Sequence, residues 1–286
     1  MNRLRPWLQL ARISNLPTVW TNVTAAWLLA GGQLADTRLY WFILAGSLLY
    51  TGGMILNDAA DAKFDHEHRR ERPIPSGRVN LTTVWSVAVV LLLAGATLAT
   101  GFGAVPRITA FLVAAIVFYD LYHKQWSGSV IIMGACRALL YLTVASAVTL
   151  DIEKAFLPAL ALGAYIVGIT LAARLEHRNG ALPPMSALLA FGCLYLPAII
   201  SARGFAFGQA STAQLIILGA FAMLVAYATN TMRQGGPAIG KSVGLLLAGI
   251  PLVDALTISS ISAPLAFGFL ALVPCLRLWQ RWVAAT

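Results

Sequence analysis

The sequence predicts an all-α protein that crosses a membrane several times. Hydrophobic residues make up 59% of its 286 residues and charged residues only 11%, whereas a soluble domain carries about 25% charged residues. The apolar residues form continuous runs rather than alternating with polar ones, which favours helices over the strands of a barrel. Helices also satisfy the backbone N–H and C=O groups that lipid cannot. We therefore expect an integral membrane protein made of a helix bundle.

Ten apolar runs account for most of the chain. Each approaches the length of about 20 residues that a helix needs to span the hydrocarbon core. The runs cover residues 15–31, 38–61, 81–103, 107–124, 128–150, 155–177, 184–201, 212–232, 238–260 and 262–282. Because the polar joints between them are short, residues 1–286 are expected to form a single transmembrane domain.

Lysine and arginine are distributed unevenly between the two sides of the predicted bundle. Fifteen of the 20 lie in the N-terminal segment or in the joints that follow even-numbered runs, four lie on the opposite side, and Arg137 lies inside the fifth run. The positive-inside rule then places both termini in the cytoplasm, in what we expect to be a bacterial inner membrane. The net charge of +9 suits anionic lipid headgroups as partners and gives no reason to invoke nucleic acid.

The joint after the second run, ILNDAADAKFDHEHRRERPIPSGRVN, concentrates the acidic side chains. It holds five of the chain's 11 acidic residues within fourteen positions. Asn57, Asp61 and Asp65 are spaced i, i+4, i+8, and Asp58 shares their face on a helix. Oxygen ligands at this density suit Mg²⁺. A solvated loop of mixed charges is the alternative, but acids followed by arginines, prolines and glycine favour a metal site beside an anion clamp, as a diphosphate requires.

This joint resembles a known motif pair. NDAADAKFD resembles the NDxxDxxxD motif of the UbiA family of membrane prenyltransferases, and RERPIPSGRV is similar to the segment that follows it there. The resemblance covers about residues 15–260. It implies nine helices around a central cavity open toward the cytoplasmic side, with run 262–282 as an extra C-terminal helix. It also implies transfer of a prenyl group from a prenyl diphosphate to a lipophilic acceptor, which in the family is often aromatic, with the help of Mg²⁺.

The resemblance assigns roles to residues of the first motif and its surroundings. The implied metal ligands are Asn57, Asp58, Asp61 and Asp65. Asp61 and Asp65 are also expected to be catalytic, together with Lys124 in FYDLYHKQW, which resembles the family's basic residue after the fourth helix. Arg72 and Arg78 are the implied contacts of the diphosphate.

One aromatic role stays open between two residues. The family's basic residue is usually preceded by a tyrosine, and the spacing here leaves Tyr119 and Tyr122 as candidates. Tyr119 is taken as a substrate-binding residue.

The second Asp-rich motif of the family departs from its pattern. GITLAARLEHRNG, residues 168–180, contains no aspartate, and Glu176 lies between Arg174 and Arg178. Arginine holds phosphate oxygens without a metal, so Arg174 and Glu176 are candidate substrate contacts. One Mg²⁺ site with an arginine clamp, a substrate other than a plain diphosphate, and loss of prenyl transfer all fit this change. The altered motif is similar to that of a family offshoot encoded in ebo-type operons.

Two ionisable residues lie inside apolar runs. Arg137 is expected to face a cavity rather than lipid, where it contacts substrate or pairs with Asp120 or Asp254. Asp254 marks either a site or a hydrogen-bonded structural position.

Three functions compete on this reading. An intramembrane prenyltransferase leads, because acids precede arginines after the second run. A transporter or carrier of lipids or small molecules, which kept the fold and lost the chemistry, is the main alternative. A phospholipid headgroup transferase is the third.

Overall fold

The computed structural model describes residues 4–174, 184–206 and 211–282, and these residues form helices without strands. In chain order the helices are α1 (Leu4–Leu10), α2 (Leu16–Leu29), α3 (Arg38–Ala60), α4 (Ala62–His68), α5 (Leu81–Gly101), α6 (Pro106–Tyr122), α7 (Ser129–Ser146), α8 (Glu153–Ala173), α9 (Pro184–Ala206), α10 (Thr212–Met232), α11 (Pro237–Ala248), α12 (Ile250–Ile258) and α13 (Ala263–Trp279). The predicted all-α fold is confirmed.

The protein is an integral membrane protein. Within the described parts of the chain, six helical segments are long and apolar enough to cross a bilayer. They are α3, α5, α7, α8, α10 and the combined segment Pro237–Ile258. The runs at 15–31, 107–124 and 262–282 form the shorter helices α2, α6 and α13. Helix α8 begins two residues before the predicted run 155–177, whose predicted end lies outside the described residues, and α9 continues five residues beyond the predicted end of the run 184–201.

Two predicted helices are interrupted. The run 238–260 divides into α11 and α12 at Gly249, and Pro251 in the first turn of α12 explains the break because proline has no N–H for the preceding helix. The acidic stretch divides at Asp61, where α3 ends and α4 begins. Hydrogen bonds from Asp61 N to Asn57 O and from Asp65 N to Asp61 O carry the helical path across this junction.

Small residues allow the helices near the centre to approach closely. A Cβ added to Gly134 on α7 would lie 2.5 Å from the carbonyl oxygen of Gly163 on α8. A Cβ added to Gly95 on α5 would lie 3.0 Å from the carbonyl oxygen of Ala45 on α3. Such backbone approach is typical of helix packing in membranes. It fixes α3 and α7, the two helices that supply much of the central cavity described next.

Candidate active site

A cavity of about 590 Å³ lies between α2, α3, α6, α7, α8 and α11. Most of its lining is apolar, as with Leu49, Leu112 and Ile166. Three ionisable lining residues, Tyr50 on α3 and Cys136 and Arg137 on α7, lie along the walls. The others gather near the α3–α4 junction and form what we call the polar end of the cavity: Arg12, Arg69, Arg72, Tyr119 and Asp120. The cavity therefore matches an amphipathic molecule with an anionic head and an apolar tail.

The acidic residues of the first motif are paired with cations of the protein. Arg72 Nη1 lies 2.9 Å from Asp65 Oδ2 and 3.2 Å from Asp58 Oδ1. Lys124 Nζ lies 2.7 Å from Asp61 Oδ1, over the ring of Phe64. Asp58 and Asp65 are buried, with side chains only 9% and 3% exposed. These carboxylates consequently need a positive partner, because an unpaired buried charge is strongly unfavourable.

Arg12 is a site residue that the sequence analysis missed. It has φ 43° and ψ 50°, a left-handed conformation that is uncommon outside glycine. Its Nη2 lies 3.5 Å from Asp58 Oδ1. Burial opposes the charge of Arg12, but the carboxylate of Asp58 raises its pKa, so the residue stays positive. Strained backbone of this kind often occurs at functional sites, yet a single arginine before an apolar run gives no signal of it in the sequence.

Arg69 belongs to the arginines that the sequence predicts as an anion clamp, although only Arg72 and Arg78 of that stretch were assigned to the diphosphate. It follows the last residue of α4 and lines the cavity. Among the described residues it has no ion pair and no side-chain hydrogen bond. Its guanidinium is therefore available to an anionic ligand at the polar end.

Asp120 adds a buried carboxylate from α6. Its Oδ1 accepts a hydrogen bond of 3.1 Å from Asn57 Nδ2. Its Oδ2 is buried without a hydrogen-bond partner among the described residues. A buried, unpartnered carboxylate oxygen in a cavity lining calls for a donor or a cation.

Several predicted site residues lie away from the cavity lining. Arg78 is exposed and donates to Ser76 Oγ and to the carbonyl oxygen of Glu71. Arg174 donates to the carbonyl oxygen of Ser127 at 2.6 Å and to Ser129 Oγ at 2.9 Å, so it ties the end of α8 to the start of α7.

Other predicted residues divide between the cavity and the undescribed segment. Tyr119 lines the polar end and stacks on His123 at a centroid distance of 5.1 Å. Arg137 lines the cavity from α7, next to Tyr50. Glu176 and Arg178 lie outside the described residues.

A divalent cation fits this set of residues by donor chemistry. Asn57, Asp58, Asp61, Asp65 and Asp120 offer only carboxylate and amide oxygens, the ligands that Mg²⁺ prefers. No ready-made group of three or more acidic, His or Cys residues surrounds a common point within the described ranges. Instead, Arg12, Arg72 and Lys124 supply the positive charge. The unpartnered Asp120 Oδ2 is the observation that leaves room for a further cation.

The fold and this site define a class, that of helical membrane proteins whose cavity joins an apolar interior to a cluster of carboxylates and arginines. Residues 18–180, more than half of the chain, match the UbiA prenyltransferase family. The chain belongs to this family, whose members generally depend on a divalent metal ion.

Part of the chain is similar in sequence to two named enzymes. A digeranylgeranylglyceryl phosphate synthase from Sulfurisphaera tokodaii is 27% identical over 121 residues, which is 42% of each protein. A 4-hydroxybenzoate octaprenyltransferase from Cupriavidus necator is 36% identical over 133 residues, 44% of this chain and 46% of the relative. The matches thus span less than half the length of these two relatives.

Solved structures share the fold over nearly their full length. A structure from a study of digeranylgeranylglyceryl phosphate synthase in membranes has a TM-score of 0.66 at 18% identity, covering 91% of this chain and 99% of the other. The apo structure of a UbiA homologue from Aeropyrum pernix has a TM-score of 0.67 at 16% identity, covering 88% and 98%. At these identities the likeness shows the fold alone.

Proposed function

We propose that this protein transfers a prenyl group from a prenyl diphosphate to a lipophilic acceptor inside the membrane. One observation supports the proposal above the others. An apolar cavity of about 590 Å³ carries Arg12, Arg69 and Arg72 at one end, directly beside the carboxylates of the NDxxDxxxD stretch. This arrangement suits a ligand with an anionic diphosphate head and a hydrocarbon tail.

The arginines of the polar end would bind and orient the diphosphate. Arg69 has N–H donors without protein partners, and Arg72 already bridges two carboxylates through one nitrogen, which leaves its other donors for phosphate oxygens. As the bond between the prenyl carbon and the diphosphate oxygen breaks, negative charge grows on the leaving group. Fixed cations at that point stabilise this charge more than they stabilise the bound substrate.

The metal site would consist of Asn57, Asp58, Asp61, Asp65 and Asp120. A divalent cation held there would supply Lewis-acid stabilisation of the diphosphate charge. For these carboxylates to hold it, Arg72 and Lys124 must give up part of their present ion pairs. We propose that Lys124, once free of Asp61, donates to a phosphate oxygen.

The apolar part of the cavity would protect the allylic, carbocation-like centre. Side chains such as Leu112, Leu140 and Ile166 offer no nucleophile and exclude water. The acceptor carbon or oxygen then meets the cation instead of a water molecule. Placement of the polar end on the cytoplasmic side of a bacterial inner membrane is part of the proposal and follows from the lysine and arginine distribution.

The test is prenyl transfer by the purified protein in lipid nanodiscs. We expect pyrophosphate release and a prenylated product when geranylgeranyl diphosphate is supplied with 4-hydroxybenzoate or a glycerol-phosphate lipid acceptor, and loss of both with EDTA. Asp61→Asn should abolish turnover, whereas Glu67→Gln, a neighbouring exposed carboxylate, should retain it. Turnover that survives Asp61→Asn contradicts the proposal. Mg²⁺-independent movement of lipid between leaflets, without pyrophosphate release, would instead support the carrier alternative.

A further inference from the structure

Arg137 places a positive charge in the cavity wall on α7, separated from Arg12 by the side chain of Tyr50, whose hydroxyl donates to the carbonyl oxygen of Arg12 at 3.5 Å. It lies eight residues after Ser129, the first residue of α7, which is roughly 12 Å along the helix axis at the usual rise per residue. It belongs to the cavity lining. A charged side chain at this depth of a membrane protein indicates a partner or a ligand.

Neutral groups hold Arg137 in position. Its Nη1 donates to Asn22 Oδ1 at 2.6 Å, its Nη2 donates to Thr18 Oγ1 at 3.2 Å, and its guanidinium carbon lies 5.3 Å from the ring centroid of Tyr50. No carboxylate of the described residues contacts it. A guanidinium has five N–H donors, so these two hydrogen bonds leave donors for a ligand in the cavity.

The negative charge that faces Arg137 belongs to Asp254, and the side chain of Asn22 lies between the two residues. Asn22 Nδ2 donates to Asp254 Oδ2 at 2.7 Å, and both residues are buried, at 0% and 1% exposure. Since arginine can only donate and a carboxylate can only accept, the two contacts fix which end of the Asn22 amide faces each partner. Asn22 therefore connects Arg137 to Asp254 and prevents a direct ion pair, a different outcome from either pairing that the sequence suggested.

This arrangement restricts what occupies the part of the cavity beside Arg137. A hydrocarbon tail laid against Arg137 would leave its remaining N–H donors buried without acceptors, which is unfavourable. An oxygen atom that accepts hydrogen bonds, and above all an anionic one, would complete the site. The prenyl tail must accordingly leave space beside Arg137 for a polar group of a second molecule.

We propose that Arg137 forms the acceptor subsite and binds an anionic oxygen of the acceptor, such as a carboxylate. The inference rests on the proposed function and specifies its substrate class as an acidic acceptor rather than a neutral one. Arg137 touches the acceptor, whereas Asn22 and Asp254 are positioning residues. The charge of Asp254 offsets part of the charge of Arg137, so it also limits how tightly the anion binds.

This proposal predicts that substitutions of Arg137 and of Asp254 change the affinity for an anionic acceptor in opposite directions. Arg137→Gln removes the charge that attracts the anion, so affinity for an anionic acceptor should fall about tenfold or more. Asp254→Asn removes the opposing charge, so the same affinity should rise. If Arg137, Asn22 and Asp254 formed only a structural hydrogen-bond network, both variants would lower thermal stability and neither would change the discrimination between an anionic and a neutral ligand.

The experiment measures binding to the full-length protein in nanodiscs at pH 8, without turnover. The probes are 4-hydroxybenzoate, its neutral methyl ester and inorganic pyrophosphate. In the wild type the anion should bind better, relative to the ester, than it does in Arg137→Gln, and pyrophosphate affinity should be equal in both. Because the ester partitions into lipid equally for every variant, the ratio of the two dissociation constants is the quantity to compare.

Several results would overturn the proposal. One is an anion-to-ester ratio that Arg137→Gln leaves unchanged, including the case in which the wild type does not bind the anion. Another is a loss confined to pyrophosphate, which would mean that the diphosphate itself reaches Arg137. A fall in anion affinity in Asp254→Asn would overturn the charge assignment.

Two controls keep this test decisive. If Arg137→Gln does not fold, Arg137→Lys serves as the second variant, because lysine retains the positive charge but lacks the planar guanidinium. Arg137→Lys should keep a weakened preference for the anion over the ester. An absent preference in that variant counts against the subsite. Since the assay needs no metal and no catalysis, failure of prenyl transfer in the wild type would contradict the proposed function while leaving this binding result intact.

Discussion

Replacing Arg72 with glutamine should make the stability of the protein depend more strongly on Mg²⁺. Arg72 Nη1 contacts Asp65 at 2.9 Å and Asp58 at 3.2 Å. Without it, Asp58 keeps only Arg12, at 3.5 Å, and Asp65 keeps no ion pair among the described residues. The variant therefore leaves buried negative charge without compensation.

The size of the loss follows from burial. Removing one partner of a buried pair costs about 3–5 kcal/mol. Arg72 retains 22% side-chain exposure, so water screens part of the effect and we expect about 3 kcal/mol, near the lower end of that range. For a protein larger than 150 residues this corresponds to a decrease in melting temperature of roughly 6–12 °C.

The divalent cation supplies the diagnostic part of this prediction. If Asp58 and Asp65 are metal ligands, Mg²⁺ in the wild type must displace Arg72, whereas in Arg72→Gln it meets free carboxylates. Added Mg²⁺ should then raise the melting temperature of the variant more than that of the wild type, by mass action. The assay is thermal unfolding in nanodiscs with EDTA or with increasing MgCl₂.

A nearby exposed arginine provides the control. Arg70 bonds only to the carbonyl oxygen of His66, so Arg70→Gln should leave both the melting temperature and its Mg²⁺ dependence close to the wild type. If Mg²⁺ stabilises Arg72→Gln no more than the wild type, the carboxylates next to Arg72 do not bind a divalent cation.

Three further predictions concern the helices and the polar end. Gly134→Ala brings a Cβ within 2.5 Å of the carbonyl oxygen of Gly163, and we expect a loss of about 1–3 kcal/mol in unfolding experiments, whereas Gly192→Ala, with open space around it, should lose none. Asn80→Ala removes the side-chain cap of α5 and should cost about 1 kcal/mol in the same assay. Arg69→Gln should weaken pyrophosphate binding several-fold without lowering the melting temperature, because Arg69 has no partner in the described protein to lose; unchanged binding would remove Arg69 from the site.

The fold was largely predictable because lipid imposes simple constraints. Long apolar runs can only become helices in a bilayer, and the ends of runs such as 212–232 agree with α10, Thr212–Met232. The breaks at Asp61 and Gly249 were not predicted. Pro251 signals the second break, whereas no proline or glycine lies near Asp61 to signal the first.

The candidate site was predictable only in its local part. The spacing of Asn57, Asp61 and Asp65 is visible in the sequence, and the structure brings Arg72 to the same place. The roles assigned to these residues remain predictions. Arg12 and Asp120 reach the cluster through tertiary packing of α6 and the segment before α2, so no short motif reveals them.

The most direct test of the central claim is the binding of Mn²⁺, a spectroscopic substitute for Mg²⁺, measured by electron paramagnetic resonance on the protein in nanodiscs. We expect the wild type to bind Mn²⁺, to bind it more tightly when pyrophosphate is present, and to lose this binding in Asp61→Asn and in Asp65→Asn. Glu71→Gln, which alters a neighbouring exposed carboxylate, should bind as the wild type does. Equal Mn²⁺ binding in all four proteins would show that the carboxylates at the α3–α4 junction serve only to pair with Arg72 and Lys124.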